Sequence, residues 1–246
     1  MGVTNLAAYV AATVGRPGRV EQVAGGSAVA SAVPVANGYV NAGFRTDGTV
    51  PAATFLDGVR SAFAGVGSPY VVWAESTDDE LLSAAVEAGG GADDTHTPAM
   101  VAAERVRLSS GIEIRRVTDP ADRAAFARLC EDGYGIPGLA WLLDSQGCFD
   151  APGATWAIAA SGSTDLGVGC GYSDGSTGGI YYVATPPGHR GQGAAAAVTA
   201  WLTNGLLDAG ASQVTLQASE AGRPVYERLG FTTSGSFLRH TFPAPR

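Results

Sequence analysis

The segment GHRGQGAAAAV, residues 188–198, constrains the fold of this chain more than any other part of the sequence. The run GGIYYVAT before it is rich in β-branched and aromatic residues and predicts a strand, and the alanine-rich run after it predicts a helix. Gly191 and Gly193 leave the connecting loop bare, so its backbone N–H groups face open space at a helix N-terminus. The segment therefore predicts a strand–loop–helix unit that binds a phosphate or pyrophosphate. The alternative is a plain strand-to-helix connection that uses glycine for its geometry alone.

The sequence around this segment predicts a mixed α/β domain. Before it come a strand at GIEIRRV, helices at DPADRAAFARLCEDGYG and GLAWLLDSQG, and strands at ATWAIAAS and LGVGCGYS. Together with GGIYYVAT, the last two strands predict an antiparallel meander. After the alanine-rich helix come a strand at QVTLQAS, a short helix at RPVYERL and a final strand at FTTSGSFLRHTF. This order is typical of the α/β (α+β) class, with a mixed central sheet flanked by helices.

Two common phosphate-binding motifs fit the glycine loop poorly. No Gly-Lys-Ser/Thr follows, which excludes the P-loop. Residues 191–196 fit the dinucleotide fingerprint GxGxxA, and Glu220 ends the next strand. However, residues 186–190 separate the preceding strand from the glycines, and too few residues follow for the rest of a doubly wound sheet. Dinucleotide binding therefore remains a weaker alternative.

Two motifs in the same order resemble those of the GNAT superfamily of acyl-CoA-dependent N-acetyltransferases. The spacing Arg190-x-x-Gly193-x-Ala195 at a strand-to-helix junction resembles that family's pyrophosphate loop. In the second motif, LQASEAGRPVYERLGF, a strand ends in a small polar residue and a tyrosine follows on a short helix closed by Gly-Phe. These positions are Ser219, Tyr226, Gly230 and Phe231. The resemblance covers roughly residues 112–240 and implies the GNAT fold.

The resemblance also implies roles for individual residues. Backbone groups of Val183, Ala184 and Thr185 would pair with the pantetheine arm of acetyl-CoA, and Ser219 would touch it. The amides that would hold the pyrophosphate belong to Arg190, Gly191, Gln192, Gly193, Ala194 and Ala195. Tyr226 would stand near the sulphur as the acid, in a direct attack of an amine on the thioester without a covalent enzyme intermediate. Taken alone, Tyr226 also fits a core position, because it has helical spacing with Leu229.

The sequence departs from the family where a general base is expected. Neither GGIYYVAT nor QVTLQAS contains a carboxylate. Glu220, Glu131, Asp132 and His189 lie elsewhere, and each fits a solvated surface position better. The sequence therefore does not identify the base, and ordered water is a candidate carrier of the proton. The missing base favours a second function class, a non-catalytic acyl-CoA-binding or partner-binding protein. Ser219 and Tyr226 favour the enzyme.

The acceptor is expected over the segment CEDGYGIPGLAWLLDSQGCFD, residues 130–150, because this region shapes the acceptor pocket in the family. Tyr134, Trp141 and Phe149 are the candidate lining residues, although aromatic residues here fit core packing equally well. We expect a small-molecule amine rather than a protein.

The N-terminal half, residues 1–110, reads as a degenerate repeat of the catalytic half, residues 111–246. It repeats the order helix, glycine, strand, Ser/Glu, helix, glycine, as in a tandem arrangement of two GNAT-like halves. It has no glycine loop before its first helix, and Ala85 stands where the tyrosine would be. We therefore predict a structural or pocket-forming role for this half, with an independent helical cap as the alternative. Its strand PYVVWA is apolar on both faces and is predicted to lie inside a sheet.

Composition and charge argue against several other classes of function. The net charge is −8, only 15% of residues are charged, and every cationic side chain is an arginine, with no cluster that fits a nucleic-acid surface. No apolar run reaches membrane-spanning length. Three widely spaced cysteines predict reduced thiols and a cytoplasmic location, and three scattered histidines give no metal site. We expect acetyl-CoA as co-substrate, no metal, no nucleic-acid or membrane partner, and a monomer or homodimer.

Overall fold

The computed structural model describes residues 2–16, 18–32, 40–75, 86, 89–107, 110–145 and 147–244. The chain forms two compact units, residues 1–99 with 234–246, and residues 100–233. This division differs from a single boundary near residue 110, because the last strand returns to the first unit. There Phe237 to Phe242 pair antiparallel with the strand from Glu75 back to Tyr70.

The first unit contains a mixed sheet. Its elements are α1 (Gly2–Thr13), β1 (Arg19–Val23), β2 (Gly26–Ala30), β3 (Ala42–Arg45), α2 (Ala52–Phe63) and β4 (Tyr70–Glu75), together with most of β5 (Ala92–Ala102) and of β11 (Thr232–Phe242). The strand order is β1-β2-β3-β4-β11-β5. β1, β2 and β3 pair antiparallel in turn, and β3 and β4 pair parallel.

The core of the first unit forms between α2 and this sheet. Phe55, Val59 and Phe63 repeat at helical spacing and are fully buried. The Tyr70 ring stacks between Phe63 and Phe242, with centroid distances of 4.5 Å and 5.0 Å. β4 is buried over its first five residues between β3 and β11, which confirms the prediction of an internal strand. The sequence did not predict the β1–β2 hairpin. The predicted helix STDDELLSAAVEAGG lies almost entirely outside the described residues, and so does its residue Ala85.

The second unit follows the predicted order element by element. Its remaining elements are β6 (Glu113–Arg116), α3 (Pro120–Tyr134), α4 (Leu139–Ser145), β7 (Ala154–Ser161), β8 (Thr164–Ser173), β9 (Gly178–Ala184), α5 (Ala194–Asp208), β10 (Val214–Gln217) and α6 (Arg223–Arg228). The strand order is β10-β9-β8-β7-β6. β6 to β9 are antiparallel, which confirms the meander, and β10 runs parallel to β9.

Local sequence explains where the main helices of this unit lie. Asp119 caps α3 by accepting a 2.9 Å hydrogen bond from the backbone N–H of Asp122, and Gly135 ends it with φ 66°. α5 packs closely on the sheet because β8 presents glycines to it. A Cβ at Gly169 would lie 3.1 Å from Leu202, so a larger residue would push the helix away.

The two units repeat one pattern. In each, three antiparallel strands lead into a helix and then into a strand parallel to the third: β1–β2–β3, α2 and β4 in the first unit, β7–β8–β9, α5 and β10 in the second. The helix–strand part of the repeat predicted from the sequence is therefore present in both units, and the second helix of the first repeat lies almost entirely outside the described residues.

All three cysteines, Cys130, Cys148 and Cys170, are buried, and none of them forms a disulfide. Burial raises the pKa of the Cys148 thiol to about 12 and raises the pKa of the Cys130 thiol strongly as well. Among the described residues, no helix is both long and apolar enough to cross a membrane.

Candidate active site

A cavity of 560 Å³ opens in the second unit where β9 and β10 stop pairing. The last partners in their parallel register are Ile180 and Leu216. Beyond that point, Val183, Ala184 and Thr185 line the cavity from the β9 side, and Ser219 and Tyr226 line it from the β10 side. The cavity thus lies at the carboxyl ends of two parallel strands, where open α/β sheets commonly bind ligands.

An irregularity in β9 shapes this end of the strand. Val168 of β8 pairs with Ala184, but Cys170 pairs with Tyr181, so β9 contains one extra residue between the two pairs. Tyr182 lies in this bulge with φ 52°, and it is the only described non-glycine residue with a positive φ. An L-residue rarely adopts this conformation, so the packing around it must hold it there. The bulge redirects the segment that forms the cavity wall.

The glycine loop meets the cavity at the start of α5. Gly191 and Gly193 have φ 78° and 87°, and nothing lies within 4 Å of a Cβ built on either. Gly193 is the N-cap of α5 and supplies no side-chain acceptor. The amide groups of the first turn therefore lack a side-chain cap, and Ala194, Ala195 and Ala196 all line the cavity. This arrangement provides backbone donors and the positive end of a helix dipole for an anion.

Arg190 joins the glycine loop to its surroundings. Its Nε donates to the carbonyl oxygen of Thr185 and its Nη2 to that of Gly133, each at 3.2 Å. Gly133 lies at the C-terminal end of α3, where an added Cβ would come within 2.8 Å of the Ala184 Cβ. The arginine thus fastens the end of α3 to the cavity wall and leaves its positive charge exposed beside the loop.

Tyr226 is 7% exposed and lines the cavity from α6. Burial raises the pKa of its hydroxyl to about 12, so the phenol keeps its proton at neutral pH. Its ring also packs in the core, with its centroid 6.1 Å from that of Phe231. Gly222 permits this placement, because a Cβ there would lie 3.1 Å from the ring and 3.0 Å from Ser219 Oγ. The core position and the cavity position of Tyr226 are therefore compatible.

The cavity brings together nearly all of the residues predicted to bind the donor. Gln192 is the exception, because it is exposed on the loop and does not line this cavity. The sequence did not predict several other lining residues, which are Gly133, His189, Ala196, Ala221, Gly222, Val225 and Arg228. His189 and Arg228 are the chemically informative ones, since the side chains of both can donate hydrogen bonds to an anion. Their proximity to the loop motif and to Tyr226 in the sequence was the available signal.

The predicted acceptor residues occupy three different environments. Tyr134, 47% exposed, lines the cavity. Trp141 is 57% exposed and does not line it. The Phe149 ring packs within an aromatic cluster, 4.9 Å from the centroid of Trp156 and 5.6 Å from that of Phe126. Of the three, the structure brings only Tyr134 to the other candidate site residues.

Among the residues that the structure describes, no aspartate or glutamate lines this cavity. Glu131, one of the candidate bases, instead holds the start of α4, where its Oε2 accepts hydrogen bonds from the N–H groups of Gly138 and Ala140 at 3.1 Å and 2.9 Å. Within the described ranges, no group of three or more His, Cys, Asp or Glu side chains is placed to hold a metal ion. The described residues of the cavity thus offer donors and protonated phenols rather than a carboxylate.

Comparison with known proteins agrees with this geometry. Residues 149–240 match the family model of an acetyltransferase (GNAT) domain. The chain is similar to a GCN5-related N-acetyltransferase from Kribbella flavida, with a TM-score of 0.76 and 16% identity over 100% of this chain and 96% of that one. A GCN5-related N-acetyltransferase from Sphaerobacter thermophilus gives a TM-score of 0.59 and 17% identity over 90% and 78% of the two chains. A tandem GNAT protein from the clavulanic acid biosynthesis pathway gives 0.59 and 11% over 90% and 79%. No curated protein matches the sequence.

The fold is that of the GNAT proteins, and the matched domain covers residues 149–240 of the chain. The chain has the GNAT fold in a tandem arrangement, with its acetyltransferase domain at residues 149–240, and the resemblance seen in the sequence is confirmed.

Proposed function

We propose that this protein is an N-acetyltransferase that transfers an acetyl group from acetyl-CoA to an amine of a small molecule. The observation that carries the proposal is the single cavity that joins the end of β9, the glycine loop, Ser219 and Tyr226. These are the positions to which the family's donor-binding and acid roles correspond.

Donor binding would use mainly backbone groups. The pyrophosphate would lie against the uncapped amides at the start of α5, with the exposed charge of Arg190 beside it. The pantetheine arm would follow the end of β9 at Val183 to Thr185, where β9 no longer pairs with β10. Ser219 Oγ already accepts a hydrogen bond from the N–H of Gly222 at 3.1 Å, which fixes its position facing the cavity.

The chemical step would proceed by direct attack. The lone pair of the neutral amine forms a bond to the thioester carbonyl carbon, and the C–S bond breaks as the amide forms. The departing sulphur takes a proton or hydrogen bond from the Tyr226 hydroxyl, and the former amine nitrogen releases a proton. Because burial raises the pKa of Tyr226 to about 12, its hydroxyl stabilises the developing thiolate chiefly as a hydrogen-bond donor.

The proton released by the amine would pass to water, because none of the described residues that line this cavity is a carboxylate. The same observation favours the second candidate, a GNAT-like protein that binds acyl-CoA or a partner without turnover. The protonated, cavity-lining Tyr226 favours the enzyme.

The test is release of CoA thiol from acetyl-CoA with a panel of amines, run beside calorimetry of acetyl-CoA binding to the full chain. Amine-dependent thiol release together with donor binding is the expected result. Donor binding without thiol release for any amine would support the non-catalytic, acyl-CoA-binding candidate. Absence of donor binding would reject both the enzyme and the acyl-CoA-binding protein.

A further inference from the structure

The strand β1 forms an open edge of the sheet in the first unit. It stands at one end of the strand order, and among the described residues it pairs only with β2. Three of its five side chains are exposed, and one of them, Val20, is a large apolar side chain that is 42% exposed. The outer side of an edge strand presents backbone N–H and C=O groups that can pair with a strand of another chain.

The pairing with β2 shows which backbone groups of β1 point outward. Val23 pairs with Gly26 across a two-residue turn, and the pair that closes such a turn is hydrogen-bonded. Hydrogen-bonded and non-hydrogen-bonded pairs alternate along an antiparallel ladder. The N–H and C=O groups of Val20 and Gln22 therefore point away from β2, toward the open side.

Two opposite charges on β1 share one face of the strand. Arg19 and Glu21 lie two residues apart, and their side chains are 53% and 44% exposed, with Nη1 and Oε2 separated by 3.9 Å. An exposed pair at this distance contributes little stability within one chain. Nη2 of Arg19 also donates to the carbonyl oxygen of Ala62 on α2, which positions the guanidinium. Both charges therefore remain accessible to a partner.

The strand β6, at the edge of the sheet in the second unit, uses its cationic side chains differently. Arg115 donates to Asp122 at 3.0 Å and to both carboxylate oxygens of Asp165 at 2.5 Å and 2.8 Å. The guanidinium of Arg116 lies over the Trp201 ring, 5.7 Å from its centroid. These arginines are engaged within their own unit, whereas those charges of β1 are not.

The direction of the backbone groups limits how two copies of β1 could pair around a two-fold axis. An outward-pointing residue must face another one, so the axis passes through Val20, Glu21 or Gln22. An axis at Glu21 places two glutamates opposite each other, and an axis at Gln22 places Glu21 opposite an apolar residue. An axis at Val20 places Arg19 of each chain opposite Glu21 of the partner subunit, and this contact occurs twice. Only the last register matches the charges.

We propose that β1 pairs antiparallel with β1 of a second copy of this chain, in a dimer whose two-fold axis passes through Val20. Charged side chains usually protect an edge strand, but one charge of each sign, two residues apart, is complementary to itself across this axis. The two exposed Val20 side chains cover each other at the centre. The inference does not depend on the proposed acetyltransferase function.

The experiment measures the mass of the full chain by sedimentation equilibrium at low ionic strength over a series of concentrations. Two five-residue strands bury less than the ~1,600 Å² of a standard interface, so we expect a reversible dimer, with twice the mass of one chain, in the micromolar range. Arg19→Glu and Glu21→Arg each place like charges opposite each other at both contacts. Each should raise the dissociation constant about tenfold or more.

An equimolar mixture of the two variants tests the register directly. Each chain then supplies the charge that the other lacks, so the mixture should form a heterodimer, and the double variant Arg19→Glu/Glu21→Arg should dimerise again. The matched control is Glu227→Arg, because Arg223 and Glu227 form a surface pair whose side chains are 54% and 47% exposed. It should leave the dissociation constant unchanged. Far-UV circular dichroism of every variant verifies that it is folded.

A chain that stays monomeric at concentrations up to about 1 mM would overturn the proposal. So would a dimer that both single charge reversals leave intact, since its interface would then lie elsewhere. If the folded single variants are monomeric and their mixture is monomeric too, the register with its axis at Val20 is wrong.

Discussion

The loop after β3 and the loop after β9 occupy the same place in the two repeats but differ in chemistry. Neither helix has a side-chain cap, but the second loop reaches α5 through Gly191 and Gly193, with nothing within 4 Å of a Cβ built on either. The first reaches α2 through Pro51 and contains Asp47, whose Oδ1 accepts hydrogen bonds from the N–H and hydroxyl of Thr49 at 2.8 Å and 2.6 Å. These hydrogen bonds lower the pKa of Asp47 and favour its charged form, which repels an anion.

The third strands differ as well. β9 contains a bulge opposite β8, whereas β2 and β3 pair in continuous register from Gly26–Arg45 to Val29–Ala42. β3 ends in Arg45, a 5% exposed guanidinium that stacks over the Phe55 ring. Two repeats with the same order of elements can therefore differ in anion binding through one loop and one bulge. The fold alone does not specify the site.

The largest effect is expected on turnover, when the hydroxyl of Tyr226 in the second repeat is removed. Tyr226→Phe removes only the hydroxyl, so kcat should fall about 100-fold while acetyl-CoA affinity stays the same, measured by thiol release and calorimetry. Because burial raises the pKa of Tyr226 to about 12, loss of this proton should not lower the wild-type rate below about pH 10.

The matched control is Tyr70→Phe, a buried tyrosine of the first unit that is 3% exposed. It should leave kcat unchanged. Equal turnover in wild type and Tyr226→Phe would reduce Tyr226 to a packing residue.

The next prediction compares the same position in the two helices. Ala195 and Ala53 are each the second residue of their helix, α5 and α2. A carboxylate in a first turn favours the helix but repels a bound pyrophosphate. Ala195→Glu should therefore weaken acetyl-CoA binding about tenfold or more in calorimetry, whereas Ala53→Glu should not.

Ala195→Gln, which has the same size without the charge, separates electrostatic from steric effects and should change the affinity much less. Equal losses of affinity in the Glu and Gln variants would show that the added side chain acts by steric exclusion alone. Unchanged affinity in both variants would show that the pyrophosphate does not bind at this loop.

A smaller effect concerns the number of donor sites. Since Asp47 places a negative charge in the first loop, whereas Gly191 and Gly193 leave open space in the second, calorimetric titration of the full chain should give one acetyl-CoA per chain. A stoichiometry of two would mean that the first repeat binds the donor in spite of Asp47.

The smallest effect concerns backbone geometry in the second loop. Gly193→Ala places a Cβ on a residue with φ 87° and should lower the free energy of unfolding by about 1 kcal/mol in urea titration. Gly205→Ala, at an exposed helical position of α5 with free space around it, should raise it by up to about 1 kcal/mol. If both substitutions changed the free energy of unfolding by the same amount and in the same direction, Gly193 would not require a left-handed backbone conformation.

Local patterns predicted most of the second unit. The glycine loop, the cap at Asp119 and the short strands of the meander each carry their signal within a few residues, and the structure has them where expected. The β1–β2 hairpin was missed because GSAVA, made of small residues, gives little strand signal, although its last three residues are buried. What the sequence could not provide depends on tertiary contact. The bulge at Tyr182, the contact of Gly133 with Ala184 and the use of Glu131 to hold α4 each join residues that local patterns treat separately.

The burial of the three thiols has a consequence for chemical durability. Thioesters slowly acylate exposed thiolates and primary amines without any enzyme. In this chain the cysteines are all buried, burial raises the pKa of Cys130 and Cys148 and keeps them as unreactive thiols, and the sequence contains no lysine. A protein of this composition that binds an acyl thioester would thus offer almost no side chain that the thioester can acylate. Under the proposed function, the chain should accumulate little adventitious acylation during long exposure to acetyl-CoA.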